Sequence, residues 1–354
     1  MIRVANWPKS EVNAYLDLYY GALQCYGISR VIELQINDGE LRKNLDSIDA
    51  LHLHWTVESI WKDKRRLMAL KKLGGFIRYL RNAKKNQKKV IWTVHETLLE
   101  GSATWVDRLG YRMMGSFADL AIFHAEASHH VAVAKYGIRP ERALMIQHGN
   151  YDGVFPDPRP REETAAELGI DLARPILLCQ GLVTPHKGFD LAIEAVRSFD
   201  GRFQLLVAGV CDPEYSAELS RIANGADYIK LLFRRLSPSE VSSLFHVADA
   251  ALLPYRRVNA SAAILTAFTL SRGVIATELP FFRDLVGPEP TAATFCQQPN
   301  LDGLARAIED YFSIDVSIRC QAARRIADAH RWDEAVRPVA DWMRRNIAPA
   351  PGRS

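Results

Sequence analysis

Residues 180–190, QGLVTPHKGFD, place Gly181, Lys187 and Gly188 between an apolar run, 175–179, and an apolar-periodic stretch, 191–196. A short strand, a glycine turn, a Lys-Gly pair and a helix start together suit a phosphate-bearing ligand. Glycine admits close backbone approach, lysine supplies a point charge, and the first turn of a helix offers unbonded N–H groups. The same residues also describe a plain strand-to-helix turn with a solvated lysine, because short motifs often arise by chance. A second set has acid–base character: His54, His95 with Glu96, His124 with Glu126, and His148 each follow a strand-like run. A histidine or carboxylate so placed can accept a proton from a hydroxyl.

The elements that must hold these residues alternate along the chain. Runs 2–5, 30–34, 50–54, 89–94, 120–123 and 144–147 read as strands. Helical patterns lie between them, the first over 16–26, introduced by Asn13 and stopped by Gly27. Ser128 reads as the cap of a later helix, and Gly74-Gly75 as a break in another. A proline-rich, aperiodic stretch, 156–161, reads as a linker. A second series follows, with strands at 175–179, 203–208, 229–233, 250–253 and 273–277, and helices at 190–198, 215–224, 239–247, 261–270, 301–312 and 318–347. Ser237-Pro-Ser-Glu240 has capping-box spacing. Such alternation predicts α/β architecture, with parallel sheets covered on both faces and chemistry gathered at the carboxyl ends of strands. The expected division is 1–155, a linker over 156–173, 174–330, and a terminal helix from 331 packing back towards the first domain, with a disordered tail.

Bulk properties narrow the field. A chain of 354 residues suits two domains, and 48% apolar with 24% charged residues describes a globular protein. No run approaches the roughly 18 apolar residues of a membrane span, and the first residues lack signal-peptide character, so cytoplasm is the expected compartment. No GxGxxG follows the first strand, which argues against a dinucleotide enzyme. Cys25, Cys179, Cys211, Cys296 and Cys320 are widely spaced and read as buried free thiols. Paired His129-His130 reads as a helix surface pair, and no metal site is expected. The net charge of +4 is unevenly spread: from Lys62 to Lys89 there are twelve Lys or Arg and one acid, Asp63. That block is read either as a solvated helix face or, with Trp61, Leu67 and Ile77 beside it, as an attraction for anionic membrane surface; a nucleic-acid motif is lacking.

Four features of the second half fall at predicted strand ends: Gly181 with Lys187-Gly188, Gly209 after LLVA, Phe233-Arg234-Arg235-Leu236, and Asn259-Ala260-Ser261 before a helix. Cations and helix starts facing one crevice suit a pyrophosphate carrying a nucleoside. This order, with Ala248-Asp249-Ala250 before Pro254 and Val274 to Thr277 before Pro280, resembles the donor domain of GT-B glycosyltransferases similar to family 4. Asn13-Ala-Tyr-Leu and Thr93-Val-His-Glu96 resemble bacterial transferases that build lipid-linked exopolysaccharide repeat units.

The resemblance implies two Rossmann-like domains facing a central cleft. It implies transfer of a sugar, with a leaning to GDP-mannose as donor, onto a polyprenyl-diphosphate-linked glycan at the inner face of the membrane, without cofactor or metal. Lys187 would neutralise the leaving diphosphate, the N–H groups near Ser261 and Ala262 would hold its oxygens, and Arg234, Arg235 and Leu236 would meet the base. Asn13, His124, Glu126 and His148 would line the acceptor side, with Glu96 or His95 as base. His95 also reads as a substrate contact that takes no proton, and His52 and His54, alternating with leucines, also read as buried structure. One departure stands out: the family's paired glutamates fall at Val258 and Thr266. An inverting reaction, another acid such as Glu278, or lost activity would each follow. A nucleotide-sugar epimerase and a silent nucleotide-sugar binder remain the competing readings.

Overall fold

A computed structural model describes residues 1–9, 13–34, 43–55, 57–95, 97, 103–257 and 261–347. The chain forms two compact units, residues 1–149 with 332–354, and residues 150–331.

In the first unit, β1 (Ile2–Trp7), β2 (Ile28–Glu33), β3 (Ala50–Leu53), β4 (Lys89–Thr93), β5 (Leu120–Phe123) and β6 (Ala143–Met145) form a parallel sheet in the order β2-β1-β3-β4-β5-β6. Its helices are α1 (Ala14–Gln24), α2 (Arg66–Lys85), α3 (Trp105–Phe117) and α4 (Glu126–Tyr136). Strand alternation divides the core: Leu51, Val90, Trp92 and Phe123 cluster with apolar residues of α2, α3 and α4, whereas Val4, Ala50, Ile91 and Ile122 cluster with Leu16, Tyr19 and Leu23 of α1.

The second unit repeats the plan. Strands β7 (Ile176–Gln180), β8 (Gln204–Ala208), β9 (Ile229–Leu232), β10 (Ala250–Leu253), β11 (Val274–Thr277) and β12 (Ala293–Cys296) lie parallel in the order β12-β11-β10-β7-β8-β9. They alternate with α5 (Arg161–Leu168), α6 (Phe189–Arg197), α7 (Pro213–Ala223), α8 (Pro238–Val247), α9 (Ala262–Thr269), α10 (Pro280–Val286), α11 (Leu301–Tyr311) and α12 (Val316–Ala329). Side-chain caps from Asp212, Asn300 and Asp315, and a full capping box between Ser237 and Glu240, set where four of these helices begin. Each such cap stabilises its helix by about 1 kcal/mol. The chain then returns to the first unit through α13 (Trp332–Ala335) and α14 (Arg337–Asn346), whose Trp332, Val336, Val339 and Met343 complete the core on the α1 side of the first sheet.

Several expectations need correction. Residues 156–173 are not a free linker, because α5 buries Thr164 and Ala165 and belongs to the second unit. Stretch 318–347 is three helices rather than one, interrupted around His330 and before Pro338, which cannot donate an interior helical bond. Gly74 and Gly75 do not divide α2: Leu73, Phe76, Tyr79 and Leu80 are buried on one side, and that burial outweighs about 1 kcal/mol of lost helix propensity per glycine. Ser128 lies buried inside α4, whose N-cap is Ala125. Trp61 is fully buried and donates to Asp107 at 3.1 Å, leaving Leu67, 84% exposed, as the apolar side chain beside the cations that faces solvent. All five cysteines are free, but Cys25 is exposed. Among the described residues no helix is long and apolar enough to cross a membrane. The tail 348–354 lies outside them.

Candidate active site

All strands of the second sheet are parallel, so their carboxyl ends share one edge. The strand order reverses between β7 and β10, where successive connections leave in opposite directions and open a crevice. After β7 the chain turns at Gly181, with φ +126°, and passes beside Gly209, with φ +145°, at the end of β8. A Cβ on Gly209 would fall 2.7 Å from the Gly181 carbonyl carbon and closer still to its oxygen. Only glycine permits this approach. A tight turn, Pro185–Lys187, then leads to Gly188 in the left-handed region, packed so closely on the Pro254 carbonyl after β10 that no Cβ would fit.

Lys187 reaches over this bay. Its Nζ lies 3.0 Å from where a Gly181 Cβ would be and 5.4 Å from the centre of the Tyr255 ring. Burial pushes its pKa down to about 8, with the neighbouring Cys179 thiol acting weakly the other way. Among the described residues no carboxylate pairs with it. A half-buried ammonium above a glycine-lined turn and a helix start has the chemistry to attract a phosphate oxygen.

The turn carrying Lys187 is braced by Asp190 of the same stretch and by Arg256 and Tyr215, which the sequence did not single out. Arg256 donates through its backbone N–H to His186 O at 2.9 Å and through Nη1 to Pro185 O at 2.5 Å. Its guanidinium also grips Asp190 at 2.9 and 2.5 Å, and the Tyr215 hydroxyl donates to the same carboxylate at 2.9 Å. The loop after β10 thus fastens the loop after β7 across the order reversal.

Gly181, Lys187, Gly188 and Gly209 are therefore brought together. Arg234, Arg235 and Leu236 follow β9, at the sheet edge beyond β8. Arg234 is tied to Glu240 at 2.6 Å, Arg235 is exposed, and Leu236 packs on the core. Ser261 is the N-cap of α9, its Oγ accepting from Ala263 N at 3.2 Å, and Ala262 is the first residue of that helix. Thr266 is buried within it. Glu278 follows β11 and pairs with Arg283 at 3.2 Å. Asp249, part of the sequence resemblance, stands at the opposite end of β10, bound to Arg161 and to Ile176 N, both at 2.8 Å, so it braces the sheet. Val258 and Asn259 lie outside the described residues.

In the first unit the strand ends gather histidines. Around Tyr15 of α1 stand His95, His124 and His148, with ring centres 4.8, 5.6 and 5.3 Å away, and Trp332 at 5.2 Å. Tyr15 Oη is 2.9 Å from His124 Nε2. His148 donates from Nδ1 to Gly149 O at 2.8 Å. Trp55 stacks on His95 at 5.0 Å and 12°. It does so with φ +55°, a left-handed conformation that costs a bulky residue about 1–3 kcal/mol and so marks an imposed position. Burial, reinforced by His148, pushes the His95 pKa down to about 3, and His52 falls to about 3 for the same main reason. His54 and His124 are held well below the usual range by burial and neighbouring imidazoles. All four rings are neutral at pH 7.

Other candidates stand apart from this cluster. Asn13 caps α1, its Oδ1 accepting from Leu16 N at 3.3 Å. Glu126 is exposed in the first turn of α4. Glu96 lies outside the described residues. Among the described residues no group of three or more His, Cys, Asp or Glu is placed to hold a metal ion.

Two parallel sheets in one chain, each reversing its strand order at a crevice-forming edge, are the architecture of the GT-B class. Residues 160–331 match the family described as Glycosyl transferases group 1. The chain is a glycosyltransferase of GT-B fold. Over 271 residues it is 23% identical to the GDP-mannose:glycolipid 4-beta-D-mannosyltransferase of Xanthomonas campestris pv. campestris, a match spanning 76% of this chain and 71% of that one. Its fold is similar to that of Anabaena HepE, solved in complex with UDP and glucose, with a TM-score of 0.73 and 14% identity over 98% and 100% of the two chains. A sucrose-phosphate synthase from Thermosynechococcus elongatus is equally similar, with a TM-score of 0.73 and 15% identity over 98% of this chain and 99% of that one.

Proposed function

We propose that this glycosyltransferase moves a sugar from a nucleoside-diphosphate sugar, GDP-mannose by preference, to a lipid-linked glycan during exopolysaccharide assembly. The observation that carries the reading is Lys187, an ammonium without a carboxylate partner among the described residues, held over Gly181 in the group 1 domain. It offers charge where a departing diphosphate gains it, and the start of α9 at Ser261 and Ala262 adds N–H donors. The glycolipid mannosyltransferase of Xanthomonas supports both the donor and the acceptor class. Its β-linked product requires inversion of an α-linked donor, which agrees with Val258 and Thr266 in place of paired glutamates. In such a displacement Glu96 or His95 takes the acceptor proton as the anomeric bond to phosphate breaks. A donor panel tests this: GDP-mannose with a polyprenyl-diphosphate glycan should release GDP and yield a mannosylated lipid, faster than UDP-glucose or other donors. No transfer from any nucleotide sugar would overturn it.

The cations of α2 support a membrane-facing role on the inner leaflet. Lys71, Arg78, Arg81 and Lys85 are exposed, they fall on one helical stripe with Leu67, and residues 64–89 contain no acid. Each cation near an anionic surface contributes about 1 kcal/mol. Reversing Arg78 and Lys85 to glutamate should lower binding to phosphatidylglycerol vesicles by at least about tenfold. Equal binding of the unaltered protein to neutral phosphatidylcholine vesicles would count against the role.

A further inference from the structure

A chain of contacts joins the buried end of β4 to His95. Thr93 Oγ1 lies 2.8 Å from His52 Nε2, and His52 Nδ1 lies 2.9 Å from the Tyr20 hydroxyl. That hydroxyl is 3.4 Å from His54 Nε2, and His54 Nδ1 is 3.4 Å from His95 Nε2. Two links are short and the two nearest His95 are long. Tyr20, His52, His54 and Thr93 are each 0–1% exposed, so water does not complete their bonding.

A neutral imidazole carries one N–H and one lone pair, and each hydroxyl has one hydrogen to give. Both nitrogens of His52 and of His54 are engaged, so the chain can run continuously in two senses, while a third arrangement, with both rings donating to Tyr20, leaves the buried Tyr20 hydrogen without an acceptor among the described residues. In the first, His95 Nε2 donates to His54, His54 to Tyr20, Tyr20 to His52, and His52 to Thr93. The Thr93 hydroxyl hydrogen is then left without an acceptor among the described residues, in a site closed to solvent. In the second, Thr93 donates to His52 Nε2, His52 Nδ1 to Tyr20, Tyr20 to His54 Nε2, and His54 Nδ1 to His95 Nε2. Every hydrogen of the four fully buried residues then has an acceptor, and the one left over belongs to His95, whose ring is partly exposed. Buried donors are rarely left unpaired because their desolvation is uncompensated, so the second sense prevails. It places the His95 hydrogen on Nδ1, the ring nitrogen with no partner among the described residues.

We infer that Thr93, His52, Tyr20 and His54 are positioning residues that hold His95 as its Nδ1–H tautomer, so that His95 meets a bound substrate oxygen as a hydrogen-bond donor and not as the base. The inference rests on the proposal that His95 belongs to the site, and it narrows that residue's two readings to one. Trp55, stacked on the ring, fixes its plane while the relay fixes its hydrogen.

The test uses the full chain with 15N-labelled histidine and a long-range 1H–15N correlation at pH 7 without substrate, His95 being assigned by its loss in His95→Gln. A protonated Nδ1 and a bare Nε2 are expected; the opposite pattern overturns the inference. In Tyr20→Phe the relay is cut, and His95 should show a mixture of tautomers, with kcat about fivefold lower and donor KM little changed. A single unchanged tautomer in Tyr20→Phe also overturns it. His95→Gln retains an amide donor, so it should keep at least about tenfold more turnover than His95→Ala, whereas equal losses would identify proton acceptance. The spectrum is independent of activity: the expected tautomer together with full turnover in His95→Ala would overturn the substrate contact and leave the relay standing.

Discussion

Replacing Lys187 with alanine is expected to reduce sugar transfer about 10²- to 10³-fold, the usual cost of removing one preorganised charge from a developing anion. The protein should stay folded. Lys187 has no carboxylate partner among the described residues and its ammonium is partly desolvated, so its removal relieves an unfavourable burial rather than breaking a bridge. Circular dichroism and a melting curve that match the unaltered protein, beside a collapsed kcat/KM, would locate the loss in chemistry. Unchanged turnover would end the assignment of Lys187. The same residue predicts a pH dependence whose sign follows from its shift. With a pKa lowered to about 8, Lys187 is charged below that pH in the free enzyme and loses its charge as pH rises through it. Donor KM should therefore rise between pH 7 and 9, approaching tenfold per unit above the pKa. Lys187→Arg keeps its charge at pH 9 and should flatten that rise. A flat KM in the unaltered enzyme would contradict the role.

Gly209→Ala is expected to be the most destabilising single change at the site. The new Cβ would meet the Gly181 carbonyl, and three backbone bonds prevent either strand end from moving aside: Gly181 N to Ala208 O at 3.0 Å, Val183 N to Val210 O at 2.8 Å, and Gly209 N to Leu232 O at 3.0 Å. The loss should be about 3 kcal/mol or more, because the obstacle is main chain rather than a side chain able to rotate. For a unit of this size that lowers Tm by about 6–12 °C. Gly225→Ala separates crowding from backbone conformation. Gly225 also has a positive φ, +79°, but open space surrounds it, so only about 1 kcal/mol is expected. Similar melting shifts in the two variants would show that the close approach of β7 and β8 contributes little.

How much of this could be read from the chain depended on distance along it. The residues proposed to hold the diphosphate lie within one strand, one turn and one helix start, and their types are informative by themselves, Gly181 and Gly188 through the conformations they allow and Lys187 through its charge. Arg256 and Asp190 are 66 residues apart, and neither is unusual in its own neighbourhood. A cue did exist, since Arg256 follows the strand that adjoins β7, but neighbouring strands must be known before it speaks. The histidines were visible as strand ends. The tyrosines that organise them were not, because Tyr15, Tyr19 and Tyr20 look like the apolar face of an ordinary helix. Gly74-Gly75 misled because local propensity is weak against burial on the other side of the same helix. Residues 161–168 misled because nearby prolines hid a short helix with few apolar residues.

The return of the chain to its first unit carries a consequence for biosynthesis. Residues 1–149 leave the ribosome with the α1 side of their core incomplete, since Trp332, Val336, Val339 and Met343 belong to that core and are translated after the whole second unit. Gly149 leaves room for the Trp332 ring, since a Cβ there would collide with it. The second unit, contiguous from 150 to 331, has all of its own residues earlier. The half of the enzyme made first is thus the half whose fold closes last, and a nascent chain halted before Trp332 would present the apolar α1 face of that sheet to chaperones.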